Sequence, residues 1–171
     1  MDIQTLKLLA EYNKKTNSDM NTLIQKLPAS QWNQEFKGYF TSIKSLCNHV
    51  YISDFNYLQR FSRLRKFSYI DKELFRQQLQ FGSTVFEGVE EYLDKRKGLD
   101  VQIIEFVNEI APADLDRHLE YTDSHGKEQR RGFGGLVLHF FNHQTHHRGM
   151  ISVYLEGMDI SNDFSNLVNF V

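Results

Sequence analysis

Apolar residues recur every three or four positions along most of the chain, a spacing that predicts long amphipathic helices. The first helix is predicted over about residues 2–26, because Pro28 cannot continue it. A short helix is expected after Ser30. The second long helix is predicted to begin near Thr41 or Ser42, both competent N-caps. Its apolar stripe consists of Ile43, Cys47, Val50, Tyr57, Phe61 and Leu64.

The second half of the chain predicts two more long helices and a hairpin. A third helical region, with a kink allowed at Gly98, runs into VQIIEFVNEI and has on one face Phe75, Leu79, Phe86, Val89 and Leu93. The segments HLEYTD and EQRR alternate in polarity about Gly126, which predicts a small β-hairpin. The last helix is predicted over about residues 133–156, ending at Gly157, and the apolar tail after it is expected to dock on the bundle. The fold class is therefore all-α with one small hairpin.

Length and composition indicate one folded domain, residues 1–171. Hydrophobic residues make up 40% and charged residues 25%, a balance too apolar for a disordered chain. The formal net charge of −2 supplies no general attraction for nucleic acid or anionic lipid, so neither partner is expected. A solvated helix face is the interpretation for the one basic cluster, which consists of Arg60, Arg63, Arg65 and Lys66.

Cysteine usage and hydropathy restrict the compartment and the chemistry. Cys47 is the only cysteine, so an intrachain disulfide is excluded, a structural thiol is expected, and a cytoplasmic location is predicted. No stretch approaches the roughly 18 apolar residues of a membrane span. The sequence has no Gly-rich phosphate loop, nucleophile elbow or Cys-x-x-Cys pair. The classes of function that remain are metal-dependent chemistry and non-catalytic binding.

Four of the seven histidines lie in the stretch HFFNHQTHHRG of the last helix. His143 and His147 occupy positions of its apolar stripe and are four residues apart. That spacing separates two side chains by roughly 40° around the helix and about 6 Å along it, so both imidazoles can reach one metal ion. His49, on the inward flank of the second helix, is the natural third ligand. Three neutral imidazoles leave a coordination position open for water or substrate, as in working metal sites.

Two further polar residues each allow two interpretations. His139, one turn before His143, is either a further ligand or a group that supports one. Asp54 interrupts the stripe of the second helix, and a buried carboxylate needs a partner. It either fixes the tautomer of a ligand imidazole or completes an unrelated buried polar contact. Solvent exposure is expected for His118, His125 and His146.

Two segments carry a resemblance to a known family: SLCNHVYISDFNYLQRF in the second helix, and HFFNHQTHHRG followed by LEG in the last. They resemble the DinB family of damage-inducible-type proteins, and the likeness extends over nearly the whole chain. It implies an up-down-down-up four-helix bundle with a three-histidine metal site, here His49, His143 and His147. It also implies one divalent ion, nickel or zinc, and a homodimer. The family pattern usually continues HRGQ, so the polar role of that Gln is not expected of Met150.

Two classes of function follow. In the first, implied by thiol-dependent transferases and an isomerase among the relatives, the ion binds the sulfur of a low-molecular-weight thiol and presents a thiolate to an electrophile. A metal-activated water would instead make the protein a hydrolase. In the second, it is a non-catalytic stress-response protein whose ion and surface serve assembly or partner binding. The sequence contains no recognisable arginine or aromatic cage for a substrate, which keeps the second class open.

Overall fold

Five helices and one β-hairpin form the fold, which a computed structural model describes over residues 2–171. The helices are α1 (Ile3–Ile24), α2 (Ala29–Trp32), α3 (Ile43–Phe61), α4 (Val89–Glu109) and α5 (Phe133–Glu156). The strands β1 (His118–Thr122) and β2 (Glu128–Gly132) pair antiparallel between α4 and α5. No helix within residues 2–171 has the length and apolar character needed to cross a membrane.

Local capping sets the helix starts that the sequence predicted. The Asp2 carboxylate accepts a hydrogen bond from the Thr5 backbone N–H at 2.8 Å and caps α1. Ser42 and Ser45 form a reciprocal capping box at the start of α3, with both backbone-to-hydroxyl distances 3.0 Å. This cap fixes the beginning of the helix that carries His49 two turns later.

The long helices form the predicted up-down-down-up bundle. Helices α3 and α4 run in the same direction, since Asp54 pairs with Arg96 and, farther along both helices, Phe61 stacks on Phe106. Helix α5 runs opposite to α3: its later turns meet His49, whereas its first residue, Phe133, packs against Phe61. The fold class is therefore confirmed. Helices α3 and α5, which carry the three histidines, are adjacent and antiparallel.

The prediction of a third helical region is wrong for the first part of that region. Residues 62–88 form irregular backbone with two single-turn 3₁₀ helices, Ser68–Asp71 and Glu73–Arg76. Consecutive parallel helices require the chain to return along the bundle, about 28 Å for the 19 residues of α3. The segment makes this crossover, and its apolar side chains cover the core without being helical. Helix α4 begins only at Val89 and continues uninterrupted through Gly98.

The hairpin and the tail follow the prediction. Gly126 adopts a φ of +77° in the turn between the strands, a conformation that favours glycine. In the tail, Phe164 is buried and its carbonyl accepts a hydrogen bond from the Tyr12 hydroxyl at 2.6 Å. Phe170 packs edge-on against the same tyrosine. The tail therefore docks on α1, as expected from its apolar residues.

A buried polar layer crosses the core between α1, α3, α4 and α5. Arg96 donates to Asp54 at 2.6 Å and pairs with Asp100, and all three side chains are almost completely buried. Asn17 on α1 donates to Asp100 at 2.9 Å. Arg148 on α5 completes the layer by donating to Asn17 and to Asn13. In its middle turns α1 thus presents amides to the core, where they satisfy charged groups of other helices.

Candidate metal centre

Three imidazole nitrogens converge where α3 meets α5. His49 Nε2 lies 3.3 Å from His143 Nε2, which lies 3.1 Å from His147 Nε2. Ligand atoms from the three residues all lie within 4.8 Å of one another. Tetrahedral coordination at a Zn–N bond of about 2.0–2.1 Å separates two ligand nitrogens by about 3.3 Å. The structure therefore brings together the three predicted residues in a cluster that could hold a metal ion.

Hydrogen bonding alone does not account for this cluster. A neutral imidazole nitrogen carries either one proton or one lone pair. His143 Nε2 therefore cannot make a full hydrogen bond to both His49 and His147, although it lies close to both. Three lone pairs directed at one cation satisfy all three nitrogens, so the donor set fits a divalent ion.

The protonation state of the cluster favours metal binding. Burial lowers the pKa of His49, and it lowers the pKa of His143 to about 4 and of His147 to about 3, with repulsion from neighbouring imidazoles adding to burial for the last two. All three imidazoles are therefore neutral at pH 7. The neutral form is the one that offers a lone pair to a metal.

Aromatic packing covers one side of the histidine cluster. The Phe40 ring lies 4.5 Å from the His49 ring and 5.3 Å from the His147 ring, measured between centroids. The Tyr154 hydroxyl donates to the Phe40 carbonyl, and Tyr154 itself stacks on Phe36 at 4.3 Å. Because Phe40 belongs to the connector before α3, the connector shields the cluster from water on this side.

Asp54 and His139 do not join the cluster. Asp54 makes its ion pair with Arg96, which corresponds to the second of its two interpretations, a buried polar contact. The Nδ1 atoms of His143 and His147 are buried and have no hydrogen-bond partner within residues 2–171, so no carboxylate there fixes their tautomers. His139 is exposed, with its ring centroid 6.1 Å from that of His143.

The remaining histidines and the cysteine lie as predicted. His118, His125 and His146 are exposed, although the His146 ring is only 4.9 Å from that of His147. Cys47 is completely buried, and burial raises the pKa of its thiol to about 12. A thiol with that pKa stays protonated at neutral pH, which fits a structural role.

A cavity of about 670 Å³ opens beside the cluster, with His49 and His143 in its wall. Helix α3 continues this wall with Ser53, Tyr57 and Arg60, while the crossover contributes Phe81 and the hairpin contributes Tyr121. A volume of this size accommodates a small organic molecule. Sequence reasoning missed the cavity because its walls come from five separate segments: the connector before α3, α3, the crossover, the hairpin and α5. One signal was present: Arg60 follows His49 by three helical turns, which places both on one face of α3.

The basic cluster is not the solvated face that composition indicated. Arg60 is half-buried in the cavity wall, with its guanidinium carbon 4.3 Å from the Tyr121 ring centroid and 4.9 Å from that of Tyr57. Arg65 pairs with the buried Asp114 at 3.0 Å. Only Arg63 and Lys66 have the exposure expected of such a face. The difference from the prediction arises because Arg60 and Arg65 contact residues far away in the sequence, Tyr121 and Asp114, which the local pattern does not contain.

Comparison with known proteins places the chain in a family. The sequence model of the DinB family matches residues 1–158, a span that includes all three clustered histidines. This chain belongs to the DinB family. It is also similar to Protein DinB of Bacillus subtilis (strain 168), with 28% identity over 147 residues that cover 86% of this chain and 82% of that protein. In this DinB-family protein, Met150 is half-buried and packs against the hydrophobic core.

Proposed function

We propose that this DinB-family protein is a metal-dependent transferase that joins a low-molecular-weight thiol to an electrophile. The observation that supports it most directly is the convergence of three imidazoles, two of them in the wall of a cavity large enough for a small substrate. A bound divalent ion supplies Lewis acidity, which lowers the pKa of a thiol and makes it a better nucleophile at neutral pH.

The residues of the chain would hold, orient and shield the reactants. The three neutral imidazoles would hold the ion, and His49 and His143 lie in the wall of the cavity through which a thiol would approach. Phe40 packs against the His49 and His147 rings and would help to orient them. Tyr57, Phe81 and Tyr121 present aromatic surface to the apolar part of an electrophile. In the transfer, the thiol proton passes to water, the sulfur forms a bond to an electrophilic carbon, and the bond from that carbon to its leaving group breaks. The leaving group departs with the electron pair, as chloride in the case of monochlorobimane.

Thiol conjugation in solution tests this proposal. We expect the metal-loaded wild-type protein to conjugate an electrophile such as monochlorobimane with at least one member of a panel of small thiols. In His147→Ala the metal-dependent part of the rate is expected to vanish, because two imidazoles hold a divalent ion poorly. The rate is measured by bimane fluorescence, and His146→Ala, which changes the neighbouring exposed imidazole, should keep the wild-type rate.

Other outcomes separate the competing functions. Absence of turnover with every thiol would contradict the transferase and favour a non-catalytic metal-binding protein. Metal-dependent cleavage of ester or amide substrates without added thiol would favour a hydrolase, in which a metal-activated water is the nucleophile. Both outcomes leave the family membership unchanged.

Metal identity and assembly are proposed on the family resemblance. We propose nickel or zinc, since imidazole suits both ions and the relatives commonly bind them. Elemental analysis of protein purified without an affinity tag distinguishes the two. A homodimer and a single folding domain over residues 1–171 are tested by sedimentation velocity and by whether unfolding follows one cooperative transition.

A further inference from the structure

We propose that Arg60 binds a carboxylate of the substrate, so that the cavity takes a thiol with a carboxylate at its far end. The thiol end of this inference rests on the proposed function, whereas the carboxylate end rests on Arg60 and its surroundings. Arg60 is the only arginine or lysine in the wall of the cavity that His49 and His143 also line, within the part of the chain that is described.

The guanidinium is oriented but has no acidic partner. Tyr57 and Tyr121 lie against it, with centroid distances of 4.9 Å and 4.3 Å. No ion pair to Arg60 occurs among residues 2–171, in contrast to the neighbouring Arg65, which pairs with Asp114. The two rings hold the guanidinium in place without neutralising it, and the N–H groups of an arginine match a planar carboxylate.

The nearest carboxylate in the cavity wall is already engaged. Asp123 accepts hydrogen bonds from the backbone N–H groups of His125 and Lys127 through Oδ1, and from the Gln129 side chain through Oδ2. These hydrogen bonds lower its pKa and keep it charged within its own turn. Asp123 therefore structures the hairpin turn and does not neutralise Arg60.

A carboxylate fits the charges of the cavity better than a phosphate does. Arg60 and Asp123 are the only arginine, lysine, aspartate or glutamate side chains in the described cavity wall. One arginine balances a single negative charge, and the fixed charge of Asp123 opposes a phosphate dianion more strongly than it opposes a monoanion. The ligand class is therefore a monoanionic carboxylate.

The distance between the two subsites sets the length of the substrate. His49 and Arg60 share a face of α3 and are separated by about 16 Å along its axis. Side chains on a helix tilt towards its N-terminus, and the position of the guanidinium over Tyr57 shows this tilt for Arg60. A thiol sulfur at the histidine cluster and a carboxylate at Arg60 are then roughly the length of an extended tripeptide apart, about 10 Å.

A first experiment tests the carboxylate subsite without any thiol. Hexanoate and hexanamide are titrated into the full-length protein with zinc added, and the side-chain Nε–H resonance of Arg60 is followed by NMR after assignment through Arg60→Met. We expect hexanoate to shift this resonance and hexanamide to leave it in place. An equal response to both compounds, or no response to hexanoate, overturns the subsite whether or not the protein uses thiols.

A second experiment links the subsite to the thiol. Binding of ω-mercaptooctanoate and of its neutral amide is measured by calorimetry on the zinc-loaded protein. We expect the carboxylate to bind about tenfold more tightly, as charge-assisted hydrogen bonds to arginine predict. Arg60→Met should abolish this preference and Arg60→Lys should keep part of it. Arg63→Met removes the same charge from an exposed position nearby and should behave as wild type.

The outcomes distinguish the two proposals. If neither thiol binds while hexanoate still shifts Arg60, the proposed transferase fails and the carboxylate subsite stands. If both thiols bind equally and Arg60→Met changes nothing, the carboxylate subsite fails and the transferase stands. Equal losses in Arg60→Met and Arg63→Met would mean that a diffuse surface charge, and not a subsite, attracts the anion, which also overturns the inference.

Discussion

Alanine in place of His49, His143 or His147 is expected to weaken metal binding by more than about 100-fold. In known sites, residues that only support a metal ligand already change metal affinity by roughly 10–100-fold. Loss of a ligand itself should exceed this. The three substitutions should have similar effects because each removes one of three imidazoles whose ligand atoms all lie within 4.8 Å of one another. Metal content after gel filtration and a competition titration with a coloured chelator provide the measurement.

Two histidines of the same chain serve as matched controls. His146 precedes His147 on α5 and is exposed, and His118 is exposed on β1. His146→Ala and His118→Ala should retain metal as the wild-type protein does. Equal retention by all five variants would refute the assignment of the ligands, and a loss in His146→Ala alone would move the site to the solvent side of α5.

Methionine in place of Arg96 is expected to reduce the free energy of unfolding by about 3–5 kcal/mol. Arg96 is 1% exposed and pairs with Asp54, which is 0% exposed, and with Asp100. Removal of the guanidinium leaves two carboxylates in the core without their cation, and an uncompensated buried charge is far more costly than the intact pair is stabilising. Urea denaturation at pH 7 measures the difference.

Lys97→Met is the control for this substitution. Lys97 follows Arg96 on α4 but is exposed and makes no ion pair among residues 2–171, so its loss should change stability by less than about 0.5 kcal/mol.

If Arg96→Met does not fold, Asp54→Asn tests the same buried polar layer with a smaller change. It should lower stability and yet retain the metal, because Asp54 contacts Arg96 and none of the clustered histidines. Metal loss in Asp54→Asn would contradict this and would indicate that Asp54 supports one of the clustered histidines.

The histidine cluster could be predicted because two of its members are neighbours on one helix. His143 and His147 are four residues apart in an apolar stripe, and helical geometry alone brings such side chains together. His49 required the further assumption that the inward flank of α3 meets α5. The structure satisfies this assumption, with ring centroids of His49 and His147 4.6 Å apart.

Arg60 shows why the cavity beside the histidine cluster was missed. Its local neighbours, Arg63, Arg65 and Lys66, give the appearance of a solvated basic end of a helix. Its actual environment depends on Tyr121, which lies on a hairpin far along the chain. Nothing in the local pattern indicates which side chain of a remote segment will pack against a given arginine.

The amino-acid sequence by itself determined the long helices other than the start of α4, the N-cap of α3, the hairpin turn and the pair of histidines on α5. These features depend on residues within a few positions of one another, where apolar spacing, hydrogen bonding to helix ends and the freedom of glycine act directly. Tertiary structure alone decided the irregular crossover, the pairing of Asp54 with Arg96 and the placement of Arg60 in the cavity. Each of these depends on the direction and rotation of helices packed against remote segments, and a short stretch of sequence does not contain that information.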